Sequence, residues 1–241
     1  MKLHIFYKNA EPLNKTNGTL VASFFVALQK LGALIPPPTQ PGAPPPLEVH
    51  VWFCWTAEHN ARYASLMNNI PRSFVIISSL ESGDNKTQNS MLDAVRSSQS
   101  LQHSDMIAYL TTSTLFTPEA FATCLDAAQG KNWYVSGHDA NDTEKPVKIT
   151  FAAGKHWRNN APPVNGNFFA SVSAIREDLD LFENFKQDLG NPNLWRLLAF
   201  GNSRTQMTCM PAVWNADTSK PPPSINWQQL EQYVAKAAFN F

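Results

Sequence analysis

Two short polar segments follow apolar runs in the middle of the chain, and their side chains could bind or transform a ligand. Thr111–Ser113 follows the strand-like run Asp105–Leu110. His138 and Asp139 follow a second such run, Trp133–Ser136. Hydroxyl groups can hydrogen-bond phosphate oxygens, a carboxylate can act as a general base, and an imidazole can move a proton. Because ligands of open α/β sheets bind outside the carboxyl ends of strands, both segments are candidates for a binding site.

The segment between these two sites has the pattern of a helix. Thr117 is the expected N-cap, Pro118 takes the first helical position, and Glu119 lies in the first turn. Apolar residues then recur at helical spacing until Gly130, where we expect the helix to end.

Strands and helices alternate through the first half of the chain. We predict strands at Leu3–Tyr7, Glu48–Trp55 and Ser73–Ser79, and helices at Thr19–Leu31, Ala57–Leu66 and Gln88–Leu101. This alternation predicts an α/β fold with a mostly parallel sheet and helices on both of its faces. The proline-rich segment Ile35–Pro46 is too short to join two domains and is expected to be an insertion on one surface.

The second half is more mixed. We predict strands at Val147–Ala153, Asn167–Val172 and Gln206–Ala212, helices at Ser173–Leu189, Asn193–Phe200 and Ile225–Phe239, and a loop at Gly154–Gly166. With no internal repeat and no convincing linker, the 241 residues are expected to form a single domain.

Composition limits the partners of the chain. Lys and Arg together number 19, as do Asp and Glu, so net charge gives no support for nucleic-acid binding or for an anionic membrane surface. No apolar run approaches the roughly 18–20 residues of a transmembrane helix. The amino terminus is typical of a strand and a polar turn rather than a signal peptide, so we expect a cytoplasmic protein. The three cysteines are widely spaced in apolar contexts, which favours buried free thiols over disulfides or a zinc site.

Several common catalytic motifs are absent from the sequence. It contains no G-x-x-x-x-G-K-[ST] and no G-x-G-x-x-G after a strand, so P-loop and dinucleotide sites lack support. It also lacks G-x-S-x-G and H-E-x-x-H. His4 and His50 fall within predicted strands, which favours core or edge positions over metal ligation.

Five segments of the chain follow one another in a characteristic order: Tyr109–Phe121, Tyr134–Asp142, His156–Asn160, Asn165–Ser171 and Ile175–Phe182, with weaker support from Gly83–Val95. This order resembles the GT-A glycosyltransferases, and in particular a group of small glycosyltransferase-like proteins that are often encoded by phages or bacteria. The resemblance implies one GT-A-like domain with a nucleotide-binding-type half (residues 1–110) and an acceptor-type half with a C-terminal helix (residues 111–241). It also implies transfer of a sugar from a nucleotide-sugar donor to an acceptor.

The sequence departs from this family where the family binds a divalent metal. Thr111, Thr112 and Ser113 stand where the family has an acidic motif, and hard cations such as Mg²⁺ and Mn²⁺ prefer carboxylate oxygens. The family also has a histidine after a turn near the C-terminus, whereas no histidine follows the corresponding turn Met210–Val213. Because both features are missing, we expect a site without a metal or other cofactor, with Mn²⁺ or Mg²⁺ as the open alternative.

Other residues of this sequence could complete a metal-free site. Asp139 and His138 are the catalytic candidates: Asp139 could act as a general base or hold a sugar hydroxyl, and His138 could protonate or orient a nearby group. Asn85, Trp157 and Arg158 would bind substrate together with the Thr111–Ser113 segment, Arg158 through phosphate oxygens and Trp157 by stacking on a ring.

Each of these residues also has a structural interpretation. His138 and Asp139 could cap a turn, and Asn85 could cap the helix that follows it. Trp157 and Arg158 could be a packing residue and a surface charge, and Thr111–Ser113 could be a turn rich in hydroxyl groups.

Two hypotheses about function follow. In the first, the chain is a glycosyltransferase that works without the usual metal and whose partners are a nucleotide sugar and an acceptor. In the second, it is a catalytically degenerate glycosyltransferase fold, retained as a binding or structural protein that contacts another protein or copies of itself, for example within a virus particle. Such a protein would lie in the host cytoplasm or in the virion.

Overall fold

The computed structural model describes residues 1–8, 15–38, 46–54, 57–79, 86–97, 101–111, 114–128, 133–136, 149–150, 156–159, 167–209, 213–215 and 226–239. Its strands are β1 (Lys2–Lys8), β2 (Glu48–Cys54), β3 (Val75–Ser79), β4 (Met106–Thr111), β5 (Thr114–Phe116), β6 (Trp133–Ser136), β7 (Ile149–Thr150), β8 (His156–Asn159), β9 (Phe168–Ser171), β10 (Thr205–Cys209) and β11 (Val213–Asn215). Its helices are α1 (Lys15–Leu34), α2 (Ala57–Met67), α3 (Lys86–Ser97), α4 (Ala120–Ala128), α5 (Val172–Glu177), α6 (Leu179–Asn184), α7 (Pro192–Phe200) and α8 (Trp227–Phe239).

Nine of the described strands form one sheet in the order β3-β2-β1-β4-β9-β6-β10-β8-β7. From β3 to β4 all neighbours are parallel, whereas β9 runs antiparallel to both β4 and β6. Strand β8 is antiparallel to β10 and β7, so seven strands run in one direction and β8 and β9 run in the other. Strands β5 and β11 pair separately. This arrangement of strands and helices confirms the predicted α/β fold class.

Helices cover both faces of the sheet. One hydrophobic core lies between the sheet and α1, α2, α4 and α8, and the other lies between the sheet and α3, α5, α6 and α7. Among the described residues, no helix has the length and apolar character needed to cross a membrane.

Strand β1 is buried on both faces because it lies between the two helical layers. On one face, Tyr7 stacks on Phe24 of α1 with ring centroids 3.8 Å apart. On the other, Phe6 stacks on Trp52 of β2 at 5.2 Å. A strand covered on both sides is typically continuously apolar, which agrees with the sequence of β1.

The second half differs from its predicted secondary structure at two strands. The predicted loop Gly154–Gly166 contains β8, which carries Trp157 and Arg158. Strand β8 forms by pairing with β10 and β7. Because a strand of this kind depends on its partners, the sequence of β8 itself gives little indication of strand structure. The predicted strand Gln206–Ala212 begins one residue earlier, at Thr205 of β10, and its last three residues lie outside the described part of the chain. Strand β11 follows it in the sequence.

Two predicted helix starts also change. Helix α4 begins at Ala120, whose N–H donates to the carbonyl of Thr117, so Pro118 and Glu119 form a turn before the helix. Two helices, α5 and α6, replace the predicted helix Ser173–Leu189. The N-cap of α5 is Ser171, which accepts a hydrogen bond from the N–H of Ala174.

The break between α5 and α6 falls at Asp178. Its backbone leaves helical geometry, with φ −104° and ψ 11°, and its carboxylate is buried in contact with neighbouring elements. The periodicity of apolar residues continues across this break and therefore does not reveal it.

A histidine pair lies at the amino edge of the sheet, where the strands begin. The rings of His4 and His50 are 4.8 Å apart, and Nε2 of His50 is 2.5 Å from a carboxylate oxygen of Glu48. His4 is buried, and within the described structure its ring nitrogens have no hydrogen-bond partner. Burial, and secondly the charge of His50, lower the pKa of His4 to about 4.

Two glycines of α1 should respond in opposite ways to alanine. A Cβ on Gly32 would lie 2.4 Å from Cγ of Pro71, whereas a Cβ on Gly18 would meet nothing within 4 Å. We expect Gly32→Ala to lower the free energy of unfolding by about 1–3 kcal/mol because the contact must be relieved by movement. Gly18→Ala should raise it by about 0.5–1 kcal/mol through helix propensity. Urea denaturation of both variants measures this, and equal effects would contradict the close approach at Gly32.

The protein should lose stability as the pH falls from about 6.5 to about 4. In this range the unfolded chain protonates His4 while the folded chain does not, so protons favour unfolding. Urea denaturation at a series of pH values should therefore show a shallower loss for His4→Leu than for wild type. The control is His103→Leu, which removes a histidine that is exposed, and an equal change of slope in both variants would contradict the role of His4.

Candidate functional site

The strand order reverses within the parallel part of the sheet, between β1 and β4. Strands β2 and β3 lie on one side of β1, and β4 lies on the other. Ligands of open α/β sheets bind at such a switch point, outside the carboxyl ends of the strands. The carboxyl ends of β1 and β4 are Lys8 and Thr111, which are partners in the parallel register.

Lys8 and Thr111 share one face of the sheet at this edge. Side chains two residues apart in a strand lie on the same face. Lys8 therefore lies on the side of Phe6, whose face is covered by α3. Lys8 is half-buried and Thr111 is buried. A lysine beside a hydroxyl group is an arrangement that can bind an anion.

Thr111 belongs to a buried hydrogen-bond network with Thr114 and Asn167. The N–H of Thr111 donates to Oδ1 of Asn167 at 2.8 Å, and Nδ2 of Asn167 donates to Oγ1 of Thr114 at 3.1 Å. The two threonine hydroxyls are 3.3 Å apart. The network spans the positions of Thr112 and Ser113, which lie outside the described residues.

The beginning of α3 lies at the same edge. Helix α3 connects β3 to the start of β4, so it begins at the carboxyl edge and ends at the amino edge. Gln88 lies in its first turn and is 1% exposed, and its Oε1 has no hydrogen-bond partner in the described structure. A buried acceptor of this kind is uncommon in proteins. Asn85, which precedes the helix, is outside the described residues.

Two strands further along the sheet carry or precede the remaining predicted site residues in the sequence. Strand β6 ends at Ser136 at the carboxyl edge, and the His138 and Asp139 that follow are outside the described residues. The backbones of Trp157 and Arg158 lie in β8, four strand positions from β4, or about 19 Å across the sheet. Three strands, β9, β6 and β10, therefore separate the backbone of Arg158 from that of Thr111.

A buried charge cluster fixes β6 to the helices after β9. The hydroxyl of Tyr134 in β6 donates to Oδ2 of Asp178 at 2.7 Å, and Nε of Arg204 donates to the same oxygen at 2.7 Å. Nη2 of Arg204 also donates to Glu177 at 2.7 Å, and Nδ2 of Asn202 donates to Asp178 at 2.6 Å. The cluster therefore anchors the strand that leads to His138 and Asp139.

The charges of this cluster shift three pKa values. Burial, and then the charge of Asp178, raise the pKa of Tyr134 well above its ordinary value. The hydrogen bond from Arg204 lowers the pKa of Glu177, and the hydrogen bond to Asp178 raises the pKa of Arg204. Since every charged group in the cluster has a partner, its geometry indicates a structural role.

The described residues do not fit a divalent metal. None of them forms a group of three or more His, Cys, Asp or Glu side chains suited to hold an ion. Thr111, the described residue of the predicted motif, offers a neutral hydroxyl group that already contacts Thr114. Hard cations prefer carboxylate ligands, so we derive no chemical step through a metal.

Three residues of this edge did not emerge from the sequence as site candidates. Lys8 ends a strand whose other residues are mostly apolar, and Gln88 falls on the inward face of a helix. Asn167 immediately precedes the apolar residues of β9. A polar residue bordering a buried strand is a signal that could have identified Asn167, although it would not have revealed its partners.

Comparisons with known proteins concern the fold alone. No protein-family model matches the chain, and no curated protein sequence matches it. Among solved structures, the galactosyltransferase LgtC in complex with donor and acceptor sugar analogues is 15% identical, with coverage of 100% of this chain and 96% of LgtC and a TM-score of 0.47. UTP-bound UGPase from Acinetobacter baumannii is 9% identical, with 98% and 93% coverage and a TM-score of 0.46.

A third solved structure, 4-diphosphocytidyl-2C-methyl-D-erythritol synthase, is 9% identical, with 98% coverage of each chain and a TM-score of 0.45. At these identities and TM-scores, likeness says nothing about activity. The description of the fold therefore rests on the strand order and the two helical layers of this chain.

The two carboxylates that bind Arg204 should differ greatly in their effect on stability. Asp178→Ala leaves Arg204 buried without its main partner and should lower the free energy of unfolding by about 3–5 kcal/mol. The side chain of Glu177 is 60% exposed, so Glu177→Ala should cost less than about 1 kcal/mol. Urea denaturation at pH 7 measures both, and similar losses would show that the cluster does not anchor β6 as described.

Proposed function

We propose that the chain binds a nucleotide-sugar donor at the carboxyl edge of its sheet and transfers the sugar to an acceptor without a resident divalent metal. The observation that carries this proposal is the pairing of Lys8 with Thr111 at the switch point between β1 and β4. This is where open α/β sheets bind ligands, and a lysine there supplies positive charge for a diphosphate.

The start of α3 adds to this charge. The first N–H groups of a helix carry partial positive charge and favour an anion. In the first turn, the buried Oε1 of Gln88 is a second polar group, and it has no hydrogen-bond partner among the described residues. Asn85 and the Thr111–Ser113 segment would add further hydrogen bonds.

The proposed reaction is a displacement at the anomeric carbon of the donor sugar. An acceptor hydroxyl forms the new C–O bond, the bond to the diphosphate breaks, and the nucleoside diphosphate leaves with the electron pair. Asp139 would take the proton of the acceptor hydroxyl, and His138 would orient that hydroxyl. Lys8 and the amides at the start of α3 would stabilise the charge that develops on the leaving diphosphate.

Arg158 and Trp157 are proposed to act on the acceptor side. Because β8 lies about 19 Å from β4, these residues would contact the distal end of the bound donor or the acceptor itself. Arg158 would then neutralise a phosphate or carboxylate there, and Trp157 would stack on a sugar ring.

One observation favours a catalytically degenerate fold that serves as a binding or structural protein. Thr111 is 6% exposed, and its N–H and hydroxyl already contact Asn167 and Thr114. In this second candidate function the old donor site is closed by its own hydrogen bonds, and the chain contacts another protein or a second copy of itself.

Calorimetric titration with a panel of nucleotide sugars tests the proposal. We expect at least one donor to bind with a Kd in the micromolar range, unchanged by EDTA or added Mn²⁺. Lys8→Ala should weaken this binding by about tenfold to a hundredfold, because one charge-assisted contact is lost. Lys236→Ala is the matched control, since this exposed lysine lies on α8 at the other face of the sheet.

The other outcomes discriminate between the alternatives. Binding that requires Mn²⁺ would overturn the metal-free site. Binding that is unchanged in Lys8→Ala but lost in Arg158→Ala would move the diphosphate to β8. Failure of every donor to bind would favour the degenerate fold.

A further inference from the structure

We propose that Asn167 is the positioning residue of the donor site: its carboxamide holds Thr111 at the end of β4 and Thr114 at the start of β5 in a fixed arrangement. This inference rests on the proposed function. Asn167 acts through these two residues and need not contact the donor itself.

The contacts of Asn167 join two strands and the start of a third. It precedes β9, accepts from the last residue of β4, and donates to the first residue of β5. Asn167 is 4% exposed, and Thr111 and Thr114 are also buried. Since water has little access to these groups, each hydrogen bond would be costly to lose.

Beyond the last backbone pair of β4 and β9, the side chain of Asn167 supplies the hydrogen bond between the two segments. The antiparallel register of β4 and β9 extends to the pair Tyr109 and Phe168. Thr111 lies two residues beyond that pair, where Oδ1 of Asn167 rather than a backbone carbonyl of β9 accepts its N–H. The carboxamide therefore extends the link between the two strands to the carboxyl edge.

A carboxamide suits this position because it accepts and donates at the same time. Its oxygen accepts from the Thr111 N–H, and its nitrogen donates to the Thr114 hydroxyl. A leucine of similar size could do neither. An aspartate could still accept from the Thr111 N–H and from the Thr114 hydroxyl, so it retains the link on the Thr111 side.

The register of the sheet connects the hydrogen bonds of Asn167 to the proposed ligand-binding edge. Thr111 is the partner of Lys8 at the switch point, so fixing Thr111 fixes the edge on which a diphosphate would rest. A site held in advance binds more tightly than one that must be ordered by its ligand. Loss of Asn167 should therefore reduce donor affinity even where the fold persists.

The experiment compares wild type, Asn167→Leu and Asn167→Asp in two measurements. Calorimetry gives the affinity for the donor identified in the nucleotide-sugar panel, and NMR hydrogen exchange gives the protection of the Thr111 amide. We expect Asn167→Leu to bind donor about tenfold or more weakly. Its Thr111 amide should exchange about tenfold faster relative to that of Ile107 inside β4. Asn167→Asp should keep Thr111 protected.

The control for lost stability is Asn191→Ala. Asn191 caps α7 by accepting from the N–H of Asn193, far along the chain from β4. Removing the cap should destabilise the protein without changing donor affinity or the relative protection of Thr111. An affinity loss in Asn191→Ala equal to that in Asn167→Leu would overturn the proposal, since stability alone would then explain it.

The results separate this inference from the proposed function. If wild type binds donor and Asn167→Leu binds equally well, the positioning role is wrong while the proposed function stands. If wild type binds no donor, both are overturned, and the Thr111 exchange then reports only a structural link. Fast exchange in Asn167→Asp as well as in Asn167→Leu would contradict the acceptor role of Oδ1.

Discussion

The parallel pairing of β1 with β4 determines where the other elements of this protein can lie. Both strands are buried between two helical layers, so most side chains on both of their faces are apolar. On one side, Tyr7 packs on α1, and on the other Phe6 packs on Trp52 under α3. Because the strand order reverses at this pair, the same constraint that builds the core also creates the edge where Lys8 and Thr111 meet.

That edge is organised by neutral hydrogen bonds. A dication can draw carboxylates and phosphates together by charge, whereas Thr111, Thr114 and Asn167 are held by donors and acceptors in a buried environment. Hydrogen bonds are directional, so such a network fixes geometry without adding charge. In the donor site that we propose, the positive charge would come from Lys8 and from the start of α3.

On the α5–α7 side of the sheet, charged side chains stabilise the packing of the protein itself. Asp178 and Arg204 are both buried, and Tyr134 and Asn202 complete the hydrogen bonds of the carboxylate. A buried pair contributes little net stability, but losing one partner is costly, so the pair specifies one arrangement of β6 against α5 and α6. The histidine pair at the amino edge is the opposite case, because burial keeps His4 neutral and makes stability depend on pH.

The sequence by itself determined the class of fold, because alternating apolar runs and helical periodicities are local properties of the chain. Strands β1 to β4 and their helices follow from such patterns, and so does the position of Thr111 at the end of a strand. Only the tertiary structure decided which strand ends meet. The pairing of Lys8 with Thr111, the link through Asn167 and the distance of Arg158 from both depend on strand order, which local patterns do not encode. Strand β8 and the break between α5 and α6 also depend on the tertiary structure. Strand β8 pairs with strands that are distant in the sequence, and the break at Asp178 coincides with a buried charge cluster.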